Sequence, residues 1–242
     1  MLMDAQQAQP VTVAILDDDY PLHDYVRFQL QGRTDIVLTA EGWAGEDLAG
    51  MIEARPNVLL LDVMIPSQRG GYAVEDPFPT LEELRRLSQS LKETQTRVLL
   101  LSTEFHYDVL DLGFASDTVC GYLLKSDQRT RDLPARIHEA MSGQLVFSNK
   151  VSESLGSGPR RAMLDLSPAE LDLMLALSKD VRATPRDLAG KLFKSEQTVK
   201  NQLSAVMKKL DAPTRGAALV ILMQQGIIRL RGTGPLTAPG HV

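Results

Sequence analysis

Cysteine is nearly absent. Cys120 stands alone, so no internal disulfide can form. Such a chain suits a reducing compartment. Long apolar runs are missing too. The stretch "AALVILM" near the C-terminus falls far short of the roughly 20 residues a bilayer-spanning helix needs. The opening "MLMDAQQAQP" has no basic segment followed by an apolar one. No secretory leader and no membrane contact are therefore expected, and a cytoplasmic location is. No repeat recurs at a fixed period.

What is present is a packed-protein composition, 43% apolar, over 242 residues, a length that suits one large or two ordinary domains. The net charge of −5 hides an asymmetry. Residues 1–150 hold 13 Lys and Arg against 23 Asp and Glu, whereas residues 151–242 hold 13 against 8. An acidic half joined to a basic half implies different partners, with nucleic acid a natural one for the basic half.

The acidic half alternates short apolar runs with segments of helical spacing. The runs are Val11–Leu16, Ile36–Thr39, Val58–Leu61, Val98–Leu101 and Val119–Leu124. Apolar positions between them recur at threes and fours, as in Leu81, Leu84, Leu87 and Leu91. This pattern predicts five βα units and a doubly wound parallel sheet of the α/β class. The basic half has no strand-like run. Ser167-Pro168-Ala169-Glu170 and Thr184-Pro185-Arg186-Asp187 read as capping boxes with Pro at the first helical position. Ser195 and Thr214 read as further N-caps and Gly226 as a stop, which predicts four helices. Between the halves, "SESLGSGPRR" reads as a linker.

In a parallel sheet every strand ends at one edge, and ligands bind there. Strand one ends in Asp17-Asp18, strand three in Asp62, strand four in Ser102-Thr103 and strand five in Lys125. Carboxylates crowded into one crevice raise each other's pKa, and a divalent cation removes the conflict. Oxygen ligands favour Mg²⁺, with phosphate oxygens completing its shell. A carboxylate can also attack phosphorus and form an aspartyl phosphate.

These motifs, "ILDDDYPL", "VLLLDVMIP", "LLLSTE" and "GYLLK", resemble the receiver domain of two-component response regulators over residues 11–143. The resemblance implies phosphorylation of Asp62 by a sensor histidine kinase. It places Asp18, Asp62 and the Met64 backbone carbonyl on Mg²⁺, with Asp17 acting through water. Ser102 and Lys125 would contact the phosphoryl group, and Tyr122 would be the aromatic switch that follows Ser102. Asp19 matches no such role and is expected to start the first helix. A haloacid-dehalogenase-type phosphatase would need an Asp two residues past its nucleophile, and Met64 stands there instead.

Residues 163–228 resemble the LuxR-type helix-turn-helix of the NarL/FixJ subfamily, most specifically in "SEQTVKNQLSAVMKKL". On a helix from Glu196 to Leu210, Val199, Leu203, Val206 and Leu210 share one face, while Lys200, Asn201, Ser204 and Lys208 share another. One face packs and the other reads the major groove. The candidate DNA-binding residues are Lys194, Ser195, Thr198, Lys200, Asn201, Ser204 and Lys208, with Lys209 a further phosphate contact. The last helix is apolar nearly all round, and the resemblance implies homodimer contacts through it, the receiver, or both.

The expected organisation is thus a receiver at 1–148, a linker at 149–162, a four-helix DNA-binding domain at 163–230 and a tail at 231–242. The expected function is a DNA-binding transcriptional regulator, not an enzyme, switched at Asp62. The alternative keeps the helix-turn-helix and makes the receiver an atypical, phosphorylation-independent one. Residues 66–80 are longer than the family pattern and are expected to be a surface insertion.

Overall fold

The structure is a computed structural model that describes residues 9–66, 68, 79–128, 133–157, 166–224 and 227–228. Most of the expected insertion, Gly226 and the tail lie outside these residues.

All five predicted strands form: β1 (Val11–Leu16), β2 (Ile36–Gly42), β3 (Val58–Asp62), β4 (Arg97–Ser102) and β5 (Val119–Leu124). A sixth, β6 (Val146–Phe147), is two residues long and pairs with β5. All pairings are parallel, and the strand order is β2-β1-β3-β4-β5-β6. β6 is too short to carry a hydrophobic period, so its sequence gives no strand signal. A glycine marks it from the other side. A Cβ on Gly121 would lie 2.3 Å from the Val146 carbonyl oxygen and 2.6 Å from a Leu99 methyl, so β6 can approach β5 only past a glycine.

The helices of this half are α1 (Tyr20–Leu30), α2 (Leu48–Glu53), α3 (Pro79–Arg86), α4 (Ser88–Thr94), α5 (Tyr107–Gly113), the short α6 (Lys125–Gln128) and α7 (Leu133–Met141). The single helical period through Leu81–Leu91 is divided at Leu87 between α3 and α4, yet Leu81, Leu84 and Leu91 are all buried as expected. Strand residues alternate between two apolar clusters. Val13, Ile15, Val58 and Leu60 pack with α1 and α7 residues such as Val26 and Ile137. Ala14, Leu16, Leu59 and Leu61 pack with α2 and α5 residues such as Ile52 and Leu110. Burial of both sheet faces explains the continuously apolar runs.

The segment expected as a linker is partly a helix. α8 (Asn149–Ser157) buries Val151 and Leu155. Its Gly and Ser content masked a two-residue apolar stripe at helical spacing. Four helices follow: α9 (Pro168–Lys179), α10 (Pro185–Leu192), α11 (Glu196–Leu210) and α12 (Arg215–Gln224). All four expected caps are made. Ser167 and Glu170 exchange bonds of 3.3 and 2.7 Å, and Thr184 and Asp187 bonds of 3.2 and 2.8 Å. Ser195 Oγ accepts from Thr198 N at 3.0 Å, and Thr214 Oγ1 accepts from Ala217 N at 3.0 Å. Each such cap contributes about 1 kcal/mol.

The α2 face of the sheet runs on into the helical half as one apolar cluster. α12 packs on α11, on α8 and on α5. At this seam Phe114 stacks on Phe147, ring centroids 5.7 Å apart, and the Thr214 hydroxyl donates to the Phe114 carbonyl at 2.6 Å. A second tie is backbone, from Val181 N to the Gly143 carbonyl at 2.9 Å.

Candidate functional site

The strand order reverses direction between β1 and β3, and the predicted residues meet at that crevice. Asp17 directly follows β1, Asp62 closes β3, Ser102 closes β4 and Lys125 directly follows β5. Apolar strands draw these polar termini inward, so Asp17, Asp62, Ser102 and Lys125 are all buried. Asp18 is exposed at the mouth.

Lys125 Nζ bridges the acids, donating to Asp62 Oδ2 at 2.7 Å and Asp17 Oδ1 at 2.9 Å. Met64 N donates to Asp62 Oδ1 at 2.9 Å, and Asp19 N to Asp17 Oδ1 at 2.9 Å. Burial, then the neighbouring Asp62, lift the Asp17 carboxyl from the ordinary 3.8 to about 6, against the pull of Lys125. Burial likewise raises Asp62, opposed by Lys125 and the Met64 amide. Burial would depress the Lys125 ammonium, but Asp62 and Asp17 outweigh it and hold it above its usual value. One cation is thus shared by two buried carboxylates, with a third at the rim.

That arrangement fits a divalent cation. Asp17, Asp18 and Asp62 can each offer one carboxylate oxygen, all within 4.8 Å of one another. Asp17 Oδ2 is buried and meets no hydrogen-bond donor among the described residues. A buried, unpaired carboxylate oxygen is costly unless something positive faces it.

Ser102 and Tyr122 also adjoin the site. Ser102 Oγ accepts from Glu104 N at 3.3 Å. Tyr122 is fully buried, its hydroxyl donating to the Glu104 carbonyl at 2.8 Å and accepting from His106 N at 3.2 Å. Phe105 stacks on Tyr122 and meets Tyr107 edge-on. Tyr107 opens α5, and Phe114 follows its last residue. α5 therefore has the acidic crevice near one end and Thr214 of the helical half at the other.

Sequence reasoning missed three residues beside the acids. His23, Glu41 and Trp43 lie against the Asp17 turn. A helical histidine in an otherwise amphipathic α1 carries no local signal; only the approach of β2 gives it a partner.

In the basic half, α11 divides as expected. Val199, Leu203, Val206 and Leu210 are buried, while Thr198, Lys200, Asn201, Ser204 and Lys208 are exposed. Along this face Lys200 pairs with Glu196 at 2.7 Å, and Gln197 donates to Asn201 at 2.9 Å. Ser195 is exposed but occupied as the cap, its hydroxyl 2.7 Å from that of Thr198. Two lysines expected toward phosphate are engaged within the domain. Lys194 reaches the Ala169 carbonyl and Gln202, and Lys209 pairs with buried Glu170 at 2.7 Å. The apolar circumference of the last helix is covered within the chain by α5 and α8 as well as α11.

No protein-family model matches the chain. Full-length relatives do. The chain is 26% identical over 229 residues to the transcriptional regulatory protein YxjL of Bacillus subtilis, covering 90% of this chain and 98% of that protein. It is 28% identical over 229 residues to the nitrate/nitrite response regulator NarL of Escherichia coli, with the same coverage. It is 27% identical over 239 residues to the transcriptional activator DevR/DosR of Mycobacterium tuberculosis, covering 93% and 100%. Among solved structures, the RcsB response regulator of Salmonella typhimurium shares the fold at a TM-score of 0.50 and 20% identity, covering 88% of this chain and 98% of that one. With the acidic crevice, its lysine and the capped helical domain in one chain, the protein is similar over about nine-tenths of its length to transcriptional regulatory proteins and response regulators, NarL among them.

Proposed function

We propose that the protein is a DNA-binding transcriptional regulator of a two-component system, switched by phosphorylation of Asp62. The observation that carries this reading is the Asp62 carboxylate at the β3 end, held by Lys125 and the Met64 amide and faced by a second buried acid. An Asp62 oxygen attacks the phosphorus of a phosphohistidine on a sensor kinase. The P–N bond breaks, the imidazole leaves, and an acyl phosphate forms. Asp17, Asp18, Asp62 and the Met64 carbonyl would hold Mg²⁺, which when bound neutralises charge on the phosphoryl oxygens. Lys125 releases Asp62 and follows the phosphoryl group, while Ser102 supplies a hydroxyl to it.

The response travels by population shift. Movement of Ser102 frees room for Tyr122, whose bonds to the Glu104–His106 segment set the start of α5. The far end of α5 holds α12 through Phe114 and Thr214. Phosphorylation then favours the state in which α12 leaves this seam and pairs with a second copy, so that two α11 helices face paired half-sites. NarL is named as a response regulator and DevR/DosR as a DNA-binding transcriptional activator, which supports the DNA-binding regulatory reading.

The test is a small phosphodonor with Mg²⁺, wild type beside Asp62→Asn. A base-labile label on wild type alone is expected. An unlabelled wild type, or an equally labelled variant, refutes the assignment.

A further inference from the structure

We propose that His23 is a positioning residue of the acidic site, fixing through its Nε2–H the peptide from which Asp17 and Asp18 project. The proposal rests on the Mg²⁺-dependent reading of that site.

His23 lies in the first turn of α1 and is 0% exposed. Its Nε2 stands 2.9 Å from the backbone carbonyl oxygen of Asp17, which can only accept, so Nε2–H donates. Its Nδ1 stands 2.9 Å from Glu41 Oε1 on β2. Glu41 is itself fixed, because Arg27 donates to its Oε2 through Nε at 3.2 Å and Nη2 at 2.9 Å. The face of the imidazole stacks on Trp43, 5.0 Å between centroids and 13° between planes. Two bonds in the ring plane and one stacked face leave the ring no rotational freedom.

The restraint falls where the site needs it. The Asp17 amide is already tied to the Gly42 carbonyl at 3.1 Å. With His23 on the carbonyl, both polar groups of Asp17's backbone are held, the amide by β2 and the carbonyl by α1. The side chain then has a defined origin, from which Oδ1 meets Lys125 and Asp19 N while Oδ2 remains for a cation. Repulsion among Asp17, Asp18 and Asp62 favours spreading of the turn. A donor on the Asp17 carbonyl opposes that spreading without adding a ligand or neutralising an acid. An apolar side chain of similar size would fill the space but leave a buried carbonyl unpaired. Partners one bond behind metal ligands typically change metal affinity 10–100-fold when removed.

Two isosteres separate this bond from packing. In Gln the amide nitrogen falls where Nε2 lies; in Asn it falls where Nδ1 lies. Full-length wild type, His23→Gln, His23→Asn, His23→Leu and Asp17→Asn would be titrated with Mg²⁺ by calorimetry, without phosphodonor. His23→Gln is expected to keep the wild-type dissociation constant within about 3-fold, and His23→Asn and His23→Leu to weaken it by about 10-fold or more. All three are expected to melt below wild type, so melting alone does not rank them. Equal constants across the His23 series overturn the proposal while leaving the Mg²⁺ reading intact, as does a Gln variant as weak as the Asn variant. If His23→Leu does not fold, the Gln and Asn pair decides. Absence of Mg²⁺ binding by wild type overturns both readings together.

Discussion

Asp17 has a raised carboxyl pKa, and the sign of that shift sets its pH behaviour. A folded pKa of about 6 above an ordinary 3.8 means that the native state holds the proton more tightly than the unfolded chain. This contribution to stability is fully present below about pH 4 and is lost as pH rises through 6. Metal binding runs the other way, since the ligand must be deprotonated. The apparent Mg²⁺ affinity is therefore expected to fall between pH 7 and pH 5, and titrations at the two values check it. Asp17→Asn removes a buried charge. The metal-free variant is expected to melt higher, by about 2–4 °C per kcal/mol relieved, while losing its response to Mg²⁺. A melting point below wild type in the absence of Mg²⁺ would show that the carboxylate stabilises the apo fold.

At the scale of elements, the turn between α10 and α11 carries a mismatch between residue and backbone. Phe193 has φ 53° and ψ 44°, the left-handed conformation at a helix C-cap, and is 98% exposed. That conformation is costly for a residue with a Cβ, and the exposed ring has little burial to offset it. Phe193→Gly is expected to stabilise the domain by about 0.5–1 kcal/mol after the extra unfolded-state freedom of Gly is subtracted. A urea midpoint no higher than wild type would contradict this. α11 itself divides its work by position. Asn201→Ala is expected to cost about 1–3 kcal/mol in DNA affinity and to relax sequence preference. Lys208, exposed on the same helix, suits a phosphate, so Lys208→Ala is expected to lower the salt slope by about 1. Binding isotherms at several salt concentrations separate the two. Lys194 and Lys209 are engaged inside the domain, so their removal is expected to alter stability along with affinity.

For the molecule as a whole, a packed seam joins the two halves. α12 is buried by α5, α8 and α11, so in this arrangement its apolar faces are unavailable to a second copy. Phosphorylation is expected to open the seam. Hydrogen–deuterium exchange across Arg215–Gln224 should rise on addition of beryllium fluoride with Mg²⁺, together with a shift from monomer toward dimer in sedimentation. Asp62→Asn should show neither. Unchanged exchange in the phosphomimetic state would detach α12 from the switch. The described residues contain no helix long and apolar enough to cross a membrane.

The sequence by itself determined whatever rests on short-range patterns. Apolar runs ending in Asp17, Asp62, Ser102 and Lys125 announced the crevice, because parallel strands share one edge. Four N-caps were legible because a cap and the amide it accepts from lie three residues apart. The two faces of α11 were legible because a helix repeats every 3.6 residues. Only the tertiary structure decided the rest. β6 exists because Gly121 lets it reach β5, and its two residues hold no period. His23 gained its place from Glu41 on β2, 18 residues away. Lys194 turned inward to Ala169, 25 residues away, and Thr214 met Phe114 across 100 residues. These contacts join groups whose local surroundings look ordinary. Their partners are set by how whole layers pack, a choice that no window of sequence contains.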